Sequence, residues 1–156
     1  MRWLNRDFLT GGLDEAEWQG RIDDHEQHVS EIAGRLNSGA ELLAGATNLH
    51  DAQLREWSHT AGILRLRLLI GDLQAGYEWA NLTYNGAALV SATAEEVNTW
   101  SEKAYEIGAD EIDVVGPDRF EHRALLWPEG EFAVQFTSLT VDRSPATPQD
   151  RVSTWD

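Results

Sequence analysis

With 156 residues, 42% of them hydrophobic and seven of them tryptophan, the chain has the length of one domain and can bury roughly two-thirds of the surface its unfolded form exposes. Its 27 acidic residues against 12 basic ones give a formal charge of −15, a field that repels nucleic acid and anionic membrane surfaces and draws in a basic protein. The absence of cysteine excludes disulfides, thiolate catalysis and thiolate zinc sites, and fits a reducing cytoplasm.

The start, M-R-W-L-N-R-D-F-L-T-G-G, lacks the apolar core of a signal peptide. The most apolar run, 63–70, is interrupted by Arg65 and Arg67, so no membrane span is expected. From Leu13 onward Trp18, Ile22, His25, Val29, Ile32 and Leu36 recur at spacings of four and three, which predicts an amphipathic helix. Asp14 with Glu17 three residues later reads as its capping box, and Asn37-Ser38-Gly39 as its end.

From Leu49 the period becomes two. Strands are expected at 49–57, 63–70 and 77–84, and their short Gly-rich connections make neighbours antiparallel. Thr93 with Glu96 opens a second helix through Val97, Trp100, Ala104 and Ile107, closed by Gly108. Further strands are read at 111–115, 120–127 and 132–141.

The expected architecture is α+β, one domain over 1–143. Its antiparallel sheet has about six strands, a meander of three followed by about three more, with the N-terminal and second helices packed on one face. Residues 144–156, carrying Pro145 and Pro148, are expected to form a polar, frayed tail.

Three groups of residues bear on function. His50 and Asp51 stand side by side, but in a strand they would point to opposite faces, so the pair reads as a strand entry satisfied by local hydrogen bonds. His122 falls on the inner face of its strand with Phe120, Ala124 and Leu126. If His50, Asp51 and His122 met, they would offer a general base or a metal site, the basis of an alternative reading as a small hydrolase or metal-dependent enzyme. No His pair at i, i+4 and no H-E-x-x-H supports that, and His25 with His28 lies at the apolar stripe of the first helix. Nucleophile motifs, a phosphate loop and a dinucleotide fingerprint are absent, and neither metal nor cofactor is expected.

The third group is acidic. From Ala92 to Asp118 eight acids stand against Lys103 alone, and Glu95, Glu96, Glu102, Glu106, Asp110, Glu111 and Asp113 are the expected partner-binding residues.

The opening M-R-W-L, the L-H-D-A at Leu49 to Ala52 and the late stretch D-R-F-E-H-R-A-L-L-W-P-E-G-E-F-A-V-Q-F together resemble a bacterial family, domain of unknown function 4085. More broadly they resemble the L-H-D-A sheet domains that include immunity proteins of polymorphic-toxin systems. The resemblance spans Met1 to about Val141 and implies a sheet domain with no catalytic residues to carry over. The expectation is a non-enzymatic, acidic, cytoplasmic domain that inhibits a basic toxin by occlusion and charge complementarity.

Overall fold

A computed structural model describes residues 1–153. The helices are α1 (Arg6–Thr10), α2 (Glu15–Ile32) and α3 (Ala94–Glu102), with a π-helical turn at Leu42–Ala46. The strands are β1 (Gln53–Thr60), β2 (Ile63–Asp72), β3 (Gly76–Asn85), β4 (Ala88–Val90), β5 (Glu106–Gly116), β6 (Arg119–Trp127), β7 (Glu131–Phe136) and β8 (Ser138–Pro145). The fold is α+β, built on one antiparallel sheet.

That sheet has eight strands in the order β4-β7-β6-β5-β1-β2-β3-β8, which corrects the expected six. The run read as one strand over 132–141 bends at Thr137, whose N–H bonds to the Asn85 carbonyl at 2.9 Å, and becomes β7 and β8. Opposite it, β3 bends at Gly86 and continues as β4. The ladder from Glu78↔Pro145 to Asn85↔Ser138 resumes at Ala88↔Gln135 and runs to Val90↔Ala133. Because β3 leads directly into β4 and β7 into β8, this shared ladder closes the sheet into a barrel-like ring.

The ring's narrowest seam is between β1 and β5, which share one register pair, Gln53↔Glu106. Segment 150–152 straps it. Gln53 exchanges two hydrogen bonds with the Val152 backbone, at 2.7 and 3.0 Å, Arg151 pairs with Glu106, and Arg55 donates to the Asp150 carbonyl. Thus, of the expected frayed tail, Ser144 and Pro145 belong to β8, the Ala146 N–H bonds to the Tyr77 carbonyl and 150–152 are fastened to the barrel; 154–156 lie outside the described residues.

One core fills the ring, with Leu54, Leu64, Leu66, Leu68, Leu82, Tyr84, Phe120, Phe132, Val134 and Phe136 from the strands. Each such side chain contributes about 1.5–3 kcal/mol on full burial. Segment 36–49 adds Leu36, Ala40, Leu43 and Leu49. It approaches β8 so closely at Gly39 (φ 88°) that a Cβ there would lie 1.7 Å from the Leu139 carbonyl oxygen.

The two main helices do not share a face of the sheet. On β5, Ile112 points into the core while Glu111 and Asp113 point outward by strand alternation, and α2 with the N-terminal segment covers that outer side. α3 instead sends Val97 and Trp100 into the core beside Trp57 and Leu66. Among the described residues no helix is long and apolar enough to cross a membrane.

Candidate functional site

His50 and Asp51 belong to a turn. Asn48 accepts the His50 N–H at 3.0 Å, Asp51 takes a left-handed conformation (φ 61°), and β1 begins only at Gln53. The expected divergence of the two side chains therefore does not occur. His50 Nε2 lies 3.6 Å from Asp51 Oδ2, with the side chains 62% and 61% exposed. Because a carbonyl only accepts, His50 Nδ1 carries a proton and donates it to Gly108 O at 3.0 Å. The pair sits on the rim of an open cleft of about 740 Å³ that also carries Arg143 and Arg151.

His122 is inside, as its alternation implies, and fully buried. Burial first, and then the charge of Asp110, push the Tyr84 phenol well above its ordinary range, so its hydroxyl keeps its proton, and it lies 2.8 Å from His122 Nδ1. The carboxylate decides the tautomer: Asp110 only accepts, so Nε2 carries the imidazole proton and donates to its Oδ2 at 3.0 Å, which leaves Nδ1 to accept from the Tyr84 hydroxyl. Both ring nitrogens are thereby occupied, and His122 shares no hydrogen-bond partner with His50. The structure does not bring the two histidines together as one site. Among the described residues no group of three or more His, Asp or Glu side chains is placed to hold a metal ion.

The acidic group divides. Glu111 is buried and accepts the N–H groups of Arg2, Trp3 and Leu4 at 2.8–3.1 Å, while Arg123 bonds its Oε2 at 3.1 Å. Burial alone would raise the Glu111 carboxyl, but the bonds from Arg2, Leu4 and Trp3 outweigh it and hold the group below its usual value. Asp113 behaves alike. Desolvation opposes its charge, but the Val114 N–H, Arg123 and His28 lower it on balance, with His28 Nε2 at 3.0 Å. Arg123 also holds Glu121 at 2.6 Å. Glu106 faces Arg151, and Asp110 faces His122. Of the seven expected partner-binding residues, Glu106, Glu111 and Asp113 are thus engaged within the molecule and Asp110 is engaged through Oδ2 alone, so these four do not form one exposed surface with the acids of α3.

Glu95, Glu96 and Glu102 remain exposed on α3. Glu96 closes the Thr93 capping box, and the Thr93 N–H and hydroxyl hold its carboxyl below the usual range. An open groove of about 610 Å³ runs between the start of α3 and the β6-β7 turn, lined by Thr93, Glu95, Glu96, Thr99, Trp100, Glu129 and Gly130. The turn packs tightly there: Gly130 (φ 102°) leaves only 2.6 Å between a would-be Cβ and the Trp100 ring. Glu129 was not singled out by the sequence, because a turn glutamate carries no periodic signal and reaches α3 only through the fold. Tyr84 and Arg123 escaped notice for the same reason; only the inward position of His122 hinted that a polar partner must exist.

Compared with family models, with curated protein sequences and with solved structures, the chain gives no match.

Proposed function

We propose that the chain is a non-enzymatic, cytoplasmic domain that binds a basic protein, in the manner of an immunity or antitoxin-like inhibitor covering a basic toxin. The observation that carries this reading is the groove in which Glu95, Glu96 and Glu129 converge around Trp100 on a chain of net charge −15. A lysine or arginine side chain entering it meets carboxylates on both walls and an indole at the floor, a setting that suits a cation flanked by an aromatic ring. The wider negative field steers such a partner toward the molecule before contact. The resemblance of L-H-D-A and the late hairpin to immunity-protein domains points the same way. Glu102, about two turns beyond Glu95 on α3, extends the surface; no catalytic group is needed, since inhibition follows from occlusion.

Titration of the isotope-labelled protein with an octa-arginine peptide, followed by amide NMR, tests the surface. The expected shifts concentrate at 93–102 and 129–130, weaken with salt, and vanish in the Glu95→Lys/Glu129→Lys double variant. Shifts centred on the acids of α2, or undiminished in the double variant, overturn the assignment.

A further inference from the structure

A second groove, of about 510 Å³, lies where α1, α2 and segment 43–50 meet the start of β5. Its size is that of a small-molecule site. Leu4, Phe8, Trp18, Leu43 and Leu49 give it apolar walls. Phe8 and Trp18 stack face to face at 5.2 Å with 3° between planes, and Trp18 is 41% exposed although it heads the apolar stripe of α2. The stripe has therefore left its largest ring facing an opening, with α2 burying only Ile32 completely.

The polar side chains in this groove are His25, Thr47, Asn48, His50 and Asp110, and Asp110 is the one carboxylate among them. Asp110 lines it, with its side chain 19% exposed. Its Oδ2 is fixed by His122, which Tyr84 fixes in turn, so the carboxylate is held from within by a fully buried imidazole and phenol. Its Oδ1 has no hydrogen-bond donor among the described residues, and no arginine or lysine pairs with it. His25, also on the groove wall, has its Nε2 buried without a partner, and burial lowers its pKa, which keeps the ring neutral. A rigid carboxylate with one unused oxygen, beside aromatic walls and with no lysine or arginine in the lining, is what an ammonium group on an apolar body requires.

We infer that this groove is a binding site for a small organic amine, its ammonium donating to Asp110 and its aromatic or branched apolar body lying against Phe8, Trp18, Leu43 and Leu49. The site is separate from the α3 groove of the proposed function, and neither depends on the other. The His122-Tyr84 chain acts behind Asp110 as a positioning device: it orients the carboxylate and touches no ligand.

Calorimetric titration with 2-phenylethylamine, against 2-phenylethanol and 3-phenylpropionate as neutral and anionic isosteres, tests the inference. The expected result is saturable binding of the amine alone. Asp110→Asn, which keeps an oxygen to accept from His122, is expected to weaken it by about tenfold or more, the worth of a charge-assisted hydrogen bond. Trp18→Ala, which removes the ring stacked on Phe8 from the groove wall but lies outside the core, is expected to weaken it severalfold while only slightly lowering the melting temperature, which separates binding in the groove from general attraction to an acidic protein. Equal binding of the alcohol, an unaffected Asp110→Asn variant, or no saturable amine binding to the intact protein overturns the site.

Discussion

The two ends of the acidic run 92–118 carry the same carboxylates and meet opposite fates. On α3, Glu95 and Glu102 stand in solvent with no side-chain partners among the described residues. On β5, Glu111 and Asp113 lie beneath the N-terminal segment and α2, gripped by Arg123, by His28 and by main-chain N–H groups. The difference comes from what covers each element. A solvent-facing helix side leaves its charges hydrated, whereas the outer face of a strand becomes an interior once another segment is laid across it, and its charges must then be matched. Acid density in a sequence measures a local charge; only the covering segment decides whether that charge recognises a partner or clamps the fold.

Removing the buried clamp is the sharpest way to break this contrast. Glu111→Ala strips the acceptor from three main-chain N–H groups and one partner from Arg123, and is expected to destabilise the protein by about 3–5 kcal/mol in urea denaturation. Residues 1–5 should gain amide exchange disproportionately, since Glu111 is what holds them. A loss below about 1 kcal/mol, the scale of an ordinary surface hydrogen bond, would place Glu111 with the exposed acids instead.

Acid comes next in size. Glu111 and Asp113 have folded values below their ordinary 4.5 and 3.8, so between folded and unfolded values the unfolded chain binds more protons. Their stabilisation is complete above these ordinary values and is lost as pH falls through the folded ones. His25 adds to the same sign earlier: its lowered value means that below about 6.5 the unfolded chain takes up a proton that the fold resists. Urea midpoints should therefore decline in two stages on acidification, and Glu111→Ala should flatten the lower stage. A midpoint that rises on acidification, or a lower stage unchanged in that variant, would contradict the assignment.

The smallest effect belongs to the open end. Glu95→Lys with Glu102→Lys should change stability within about 0.5 kcal/mol, as surface substitutions away from packed features do. The same change should slow association with octa-arginine, measured by stopped flow at low salt, and reduce its salt dependence. A large stability loss would show that α3's acids are structural as well.

The helix starts were legible because their chemistry is local: Asp14 with Glu17 and Thr93 with Glu96 form the capping boxes their spacing announces. The hairpins around Ala61-Gly62 and Asp118 were legible from turn residues, and the inward aim of His122 from alternation. The end of α3 was not. Ala104 and Ile107 continue a helical spacing from Val97 and Trp100, yet Ala104 turns to φ 52° and Ile107 is already paired with Leu126. Apolar residues three apart satisfy a helix and a turn-then-strand equally, and the long-range pairing of β5 decided between them. The outer-face burial of Glu111 was illegible for a related reason: it depends on Arg2 to Leu4, more than a hundred residues away in sequence.

The strap at 150–152 gives the ring a point of control. β1 and β5 share a single register pair, flanked by the main-chain bonds Asp51 N–H to Ile107 O, Ile107 N–H to Ala52 O and Leu54 N–H to Tyr105 O, and side chains of Gln53, Arg55 and Arg151 fasten 150–152 across this short joint. Parting the joint there breaks its three main-chain bonds and the side-chain bonds of the strap together.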